Sequence, residues 1–419
     1  MIEVRKLSQG IKIVMDPVSE VESVAIGLWV RTGAVDEEDK YAGISHFVEH
    51  MMFKGTETRT AMDIAADIDK IGGQINAFTG KEATCYHVKV LSSNFIAGVD
   101  VLLDMIENSV YDKVEMSRER RVIEEEIKMT LDSPEDLAHD VSTELIFKGQ
   151  TLGNSIIGTA TNLKRISRNV MTSYVKNRYT KDNIVISVAG KFDADEICRY
   201  FQNRLEKLEE KSVVVSEPKD AKEYKPGFRV IKKDIDQTHI CLGVPTIALD
   251  DESYYGLMVL NNAVGGTMSS RLFQNIRETK GLAYSVFSMA TSFRESGYFK
   301  IYAGVAGDKV KAAIDGIKEE LDKVAEKSIS SDELHWSGEQ LKASFIFGQE
   351  NMAARMFTNG KNLLLMDKVQ TMEDIIEAYD NVSMDEINRI KDLVCDFSRY
   401  SAVAVTGNAN LNIKKYMRG

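Results

Sequence analysis

Histidine, cysteine and tryptophan are scarce in this chain: its 419 residues include six His, four Cys and two Trp. Cys85, Cys198, Cys241 and Cys395 are scattered, with no C-x-x-C pair among them. Their spacing gives no sign of a structural zinc site closed by clustered thiolates, and four unpaired-looking cysteines suit a reducing compartment. No apolar run reaches the roughly 18 residues that a membrane-spanning helix requires. The start, Met1-Ile2-Glu3-Val4-Arg5-Lys6-Leu7, has neither the apolar stretch of a signal peptide nor an Arg/Ser-rich transit pattern. A cytoplasmic location, away from membranes, is the expectation. Positive charge is also short: 53 Lys and Arg against 64 Asp and Glu leave a net charge of −11. That balance argues against nucleic acid as a partner.

What is present is concentrated in five residues, His46-Phe47-Val48-Glu49-His50. On a helix, two imidazoles four residues apart share one face. This H-x-x-E-H order is the inverted-zincin arrangement, two ligands for Zn²⁺ with a carboxylate placed as general base. A lone histidine is more often a packed or surface residue. Here two of the six fall inside Gly43–Phe53, which is apolar nearly all round and reads as a buried helix ending at Lys54-Gly55. Buried imidazoles need partners, and a metal would satisfy both.

A catalytic zinc site takes three protein ligands and leaves a position for water. The best source of the third is a second helix, predicted from an N-cap at Ser117 to a stop at Asp132-Ser133-Pro134. Its apolar stripe runs through Val122, Ile123, Ile127 and Thr130. Glu126 and Glu119, seven apart, fall on or beside that stripe. Glu124, Glu125 and Arg121 point outward as a solvated face. Glu126 is thus the candidate ligand, and Glu119 an acid that orients a ligand from behind.

With His46, Glu49, His50 and Glu126 in place, the sequence resembles the pitrilysin/insulin-degrading enzyme family. It looks most similar to the branch of mitochondrial processing peptidase and its bacterial homologues. Gly43-Ile44-Ser45-His46, Phe53-Lys54-Gly55-Thr56, Gly72-Gly73-Gln74-Ile75-Asn76-Ala77-Phe78-Thr79, Ser269-Ser270-Arg271-Leu272-Phe273 and the pair Arg277…Tyr284 carry the likeness over nearly the whole chain. The resemblance implies a zinc endopeptidase that acts on short or unfolded peptides. Zinc, one per chain, is held by His46, His50 and Glu126, with Glu49 activating water. It implies that Arg277 and Tyr284 act near the substrate, where both can donate to a developing oxyanion. A surface Arg and a packed Tyr are the alternative. Asn76, Ala77 and Phe78 lie on an expected sheet edge, where a substrate can pair as an added strand. An ordinary hairpin strand would look the same. Some relatives have lost their metal site, so a non-catalytic peptide-binding or assembly subunit is the second reading.

The chain is 43% hydrophobic and long enough for two domains of about 200 residues. Gly10–Met15, Ser23–Val30 and Asn183–Gly190 read as strands, and helices are expected around 42–54, 60–71, 94–108, 115–131, 167–178 and 193–207. After a charged, proline-bearing stretch the pattern restarts. Thr238–Val244 resembles the Val24–Val30 strand, and Tyr400–Gly407 resembles Ile184–Gly190. Aligning Gly190 with Gly407 gives an offset of 217, which carries His46 to Ala263 and Glu49 to Gly266. The expected fold is α+β, with two related domains of mixed, mainly antiparallel sheet and helices packed on it. The expected bounds are 1–212 with the metal site, a linker at 213–226, and 227–419 without it. In larger relatives two such halves form a clamshell. One half here carries both the zinc motif and the Arg/Tyr pair, so a homodimer with composite sites is expected. His87, His139, His239 and His335 lack ligand spacing. Gly265-Gly266 lacks the lysine of a phosphate loop and reads as a turn device.

Overall fold

The computed structural model describes residues 2–202, 204–212 and 223–418. They form two compact units, each with its own sheet. Most of the predicted linker, 213–222, lies outside the described residues.

The first unit contains a six-stranded sheet in the order β1 (Glu3–Lys6), β2 (Lys12–Pro17), β6 (Ile184–Gly190), β3 (Ser23–Val30), β5 (Thr84–Leu91), β4 (Gln74–Thr79). Only β2 and β6 run parallel; the other neighbours are antiparallel. Strand pleat sorts the side chains. Val24, Ile26, Leu28 and Val30 enter one core with Phe47, Val48 and Met51, while Ala25 and Trp29 enter another on the opposite face. Both faces are covered, so the central strands read as continuous apolar runs rather than alternating ones.

The second unit has a five-stranded sheet in the order β7 (Phe228–Lys232), β11 (Ser401–Thr406), β8 (Gln237–Thr246), β10 (Gly297–Ala306), β9 (Ala283–Ser292). This is the topology β2-β6-β3-β5-β4 over again, with the parallel pair at the same place. The internal repeat is therefore a repeat of strand order, and β6 and β11 stand at the offset of 217. Ala263, the counterpart of His46, is buried in the second core.

The units depart from the predicted halves. Helix Pro134–Ile146 packs on β8 and β11 of the second unit, through Leu137, Ala138, Val141 and Leu145. Helix Met352–Met366, 218 residues later, packs on β3 and β6 of the first, through Met352, Met356 and Leu363. Each unit thus takes one covering helix from the other half of the sequence. The second exchange rests on close approach. A Cβ on Gly27 would lie 2.2 Å from Met356 Sδ, and one on Gly360 would lie 2.2 Å from Trp29 Nε1.

Among the described residues, no helix is long and apolar enough to cross a membrane.

Candidate metal centre

Helix Ile44–Met52 buries Ile44, Phe47, Val48, Met51 and Met52, which leaves His46, Glu49 and His50 partly accessible on the remaining face. It ends at Phe53 rather than at a glycine; Gly55, at φ +116°, turns the chain two residues later.

The glutamate helix begins four residues before the predicted cap and spans Lys113–Asp132. Asp112 Oδ1 accepts the N–H groups of Val114 (2.8 Å) and Glu115 (3.1 Å), so aspartate rather than Ser117 caps it. The predicted stripe is also shifted. Ile123 and Glu119 are buried, Glu126 is partly buried, and Val122 is 44% exposed. With its start at Lys113, the inward face passes through Met116, Glu119 and Ile123.

These two helices bring the three expected ligands together: one ligand atom each from His46, His50 and Glu126 lie within 4.8 Å of one another. Glu126 Oε2 is 3.8 Å from His46 Nε2 and 3.6 Å from His50 Nε2. Those gaps exceed hydrogen-bond length. They are close to the roughly 3.4 Å edge of a tetrahedron with Zn–N bonds of about 2.1 Å. The donor set, two imidazoles and one carboxylate, is that of a catalytic zinc site.

His50 has a second contact. Its Nδ1–H donates 3.1 Å to Glu119 Oε2, which leaves the Nε2 lone pair facing Glu126. Glu119 is nearly buried, and Lys54 Nζ lies 2.9 Å from its other oxygen. Glu119 therefore sits behind the ligand set and holds a ligand rather than reaching a reacting atom. His46 is different: its buried Nδ1 has no partner among the described residues. Burial, with the neighbouring His50, pushes the His46 imidazole down to about 4, so it is neutral at neutral pH and able to ligate.

Glu49 is oriented by Thr79, whose hydroxyl donates to its carboxylate. Burial raises the Glu49 carboxyl, and the Thr79 hydrogen bond opposes part of that shift. A carboxylate pushed up in this way is a stronger base. Thr79 lies on β4, the edge strand of its sheet.

The pleat of β4 divides the predicted substrate residues. Ala77 shares the face of Thr79, toward the motif helix. Asn76 and Phe78 lie on the other face, where Phe78 packs against Trp29 (5.5 Å) and Phe357 (5.6 Å). The side chains of Asn76 and Phe78 thus point away from the His46 cluster. What β4 offers on that side is its edge backbone and Ala77.

Arg277 and Tyr284 belong to the second unit. They line one cavity of about 320 Å³ together with Gly281 and Lys309. Arg277 lies over the Phe273 ring at 4.7 Å, and Tyr284 is 65% exposed. Three of the other four histidines have local partners: His87 packs on Phe357, His139 stacks on Tyr302, and His239 Nδ1 meets Tyr302 Oη at 2.7 Å. Sequence reasoning missed Thr79 and Lys54. For Thr79 a signal exists: two-residue alternation from Ala77 puts both side chains on one face of the strand.

Residues 12–160 match the family model described as insulinase (peptidase family M16). Residues 165–338 match the one described as peptidase M16 inactive domain. An uncharacterized zinc protease of Bacillus subtilis is 38% identical over 97% of this chain and 99% of its own length. Another, from Rickettsia felis, is 36% identical over 97% and 98%. Among solved structures, a peptidase M16 inactive domain from Pseudomonas fluorescens superposes with a TM-score of 0.91 at 15% identity, covering 98% of this chain and 99% of that one. A protease from Helicobacter pylori gives 0.87 at 20% identity, covering 97% and 99%. At these identities the two structures speak for the fold alone.

Proposed function

The chain belongs to the insulinase family, peptidase family M16, and from that premise we propose that it is a zinc-dependent endopeptidase acting on short or unfolded peptides. The observation that carries this reading is the meeting of His46, His50 and Glu126, with Glu49 held beside them by Thr79.

One zinc ion per chain would be held by His46 Nε2, His50 Nε2 and a Glu126 oxygen. Bound there, it supplies Lewis acidity toward a peptide carbonyl and acidifies water. The protein's own groups do the rest. Glu49 takes a proton from the attacking water and delivers it to the leaving amine. Thr79 fixes the carboxylate so that it faces the site and does not become a ligand. Glu119 and Lys54 hold His50 in the tautomer whose Nε2 is free. The exposed edge of β4 pairs with substrate main chain, which makes binding tolerant of sequence.

The same reading assigns Arg277 and Tyr284 to the substrate carbonyl. It places them there by assembly of a homodimer, in which the second unit of one subunit serves the metal cluster of its partner. It also makes the protein a cytoplasmic enzyme resembling the processing peptidases. Two features support the joint role of Arg277 and Tyr284: their spacing, and the shared cavity of the two side chains.

The test is cleavage of a quenched fluorescent peptide panel by protein of measured zinc content. Cleavage should stop with a chelator and return with added zinc. Cleavage that persists after complete zinc removal contradicts the proposal. No cleavage by a zinc-loaded dimer favours the peptide-binding alternative.

A further inference from the structure

One buried carboxylate near the metal helix has no role in this chemistry. Glu37 is 1% exposed, although it sits in the acidic run Asp36-Glu37-Glu38-Asp39 between β3 and the helix. Among the described residues, no cation is paired with it at ion-pair distance. Its two oxygens take separate backbone donors instead. Gly43 N–H donates 2.7 Å to Oε2, and Ser45 N–H donates 2.8 Å to Oε1. These are the N-cap and the second residue of the motif helix. A carboxylate there satisfies amides that the helix leaves free and faces the positive end of its dipole.

Neighbouring contacts fix the same end. Tyr174 Oη lies 2.8 Å from Ser45 Oγ and 2.7 Å from Thr32 Oγ1. Gly43 is at φ +94°, and a Cβ on Gly158 would fall 2.2 Å from Ala42 O. The chain enters the helix through a passage with no slack. His46 follows Ser45 directly. Its Nδ1 has no partner among the described residues, whereas His50 is held by Glu119. The position of His46 therefore depends on the placement of its helix turn.

We infer that Glu37 is a positioning residue for the metal site: by clamping the Gly43 and Ser45 amides it sets the first turn of the motif helix, and so the aim of His46 at Glu126 and His50. This rests on the zinc reading above. Glu37→Gln keeps the size of the side chain but offers one acceptor and one amide donor to two N–H groups, so one contact becomes a conflict. Glu37→Asp keeps the charge but is one methylene too short to span both donors.

The experiment measures zinc affinity by competition with a chromophoric chelator at pH 8, alongside thermal unfolding of the zinc-free protein. Wild type, Glu37→Gln, Glu37→Asp and the core control Ile68→Val are compared. Wild type should bind zinc. Glu37→Gln should bind it about tenfold or more weakly, the range seen when outer supports of a metal site are removed. Its visible spectrum with Co²⁺ in place of zinc should change. Ile68→Val should lose stability while keeping zinc affinity and spectrum, which separates positioning from general destabilisation. If Glu37→Gln does not fold, Glu37→Asp carries the same expectation. Unchanged affinity and Co²⁺ spectrum in a folded Glu37 variant would overturn the inference. Failure of wild type to bind zinc at all would overturn the metal reading itself.

Discussion

Thr79, Glu119 and Glu37 each act on the site through neighbouring groups, and their effects should separate. Thr79→Val removes the donor to Glu49 and touches no ligand. A hydrogen bond to a charged group contributes about 1.5–3 kcal/mol, so kcat should fall roughly ten- to a hundredfold. Zinc affinity should not change; an unchanged kcat would refute the role given to Thr79. Glu119→Gln should instead weaken zinc binding by about ten- to a hundredfold, read by the same chelator competition. Glu37 adds a pH signature. Burial raises its carboxyl to about 7 from an ordinary value of 4.5. Between those values the folded state holds the proton more tightly than the unfolded one, so stability falls as pH rises through this window and levels off above it. The span corresponds to about 3 kcal/mol. Wild type should therefore lose stability relative to Glu37→Gln between pH 5 and pH 8 in thermal unfolding, and parallel curves would contradict this. The ligands were legible because two rare histidines at helical spacing, inside an apolar run, call for a shared partner that a metal supplies. Glu37 was not, because an acidic run between a strand and a helix reads as a solvated loop. Nothing local says that one of its members turns inward to meet two amides.

Elements were legible where one period dominates. The motif helix, the strands Ser23–Val30 and Asn183–Gly190, and the glutamate helix all lie close to their predicted spans. The start of the glutamate helix was not, since Asp112 and Ser117 are both acceptable caps and only the fold chooses between them. Nor was the full inward face of that helix: Glu119 turns inward as expected, but Val122, placed on the same stripe, is exposed. The charged residue is retained inside by His50 and Lys54, partners that lie 69 and 65 positions away in the chain. At this scale the sharpest test is glycine. Gly360→Ala drives a Cβ into Trp29 and should destabilise the protein by about 1–3 kcal/mol. Gly338→Ala, in helix Ser331–Gln349, meets nothing within 4 Å and should be neutral or stabilising by about 0.5–1 kcal/mol. Equal unfolding temperatures for the two variants would contradict the close approach of helix Met352–Met366 to its sheet.

For the whole molecule, the sequence made the repeat visible but not the exchange within it. The offset of 217 follows from matching strands, whose pattern records pairing partners close by. The helices Pro134–Ile146 and Met352–Met366 show an apolar face in their patterns, and a face does not name the sheet that it covers. The second unit keeps the strand order while Ala263 and Gly266 stand at the offset of His46 and Glu49, so this strand order does not itself require the motif residues. Sedimentation analysis at working concentration should give a dimer, and Arg277→Ala should lower kcat/KM without changing zinc content. A fully active monomer would remove the case for composite sites. The central claim is tested most directly by Glu49→Gln, assayed for zinc content and peptide cleavage in one preparation. The account predicts one zinc per chain, as in wild type, with cleavage reduced by at least about a hundredfold. Cleavage near the wild-type rate, or loss of zinc together with cleavage, would contradict the assignment of Glu49 as the base beside the His46, His50 and Glu126 site.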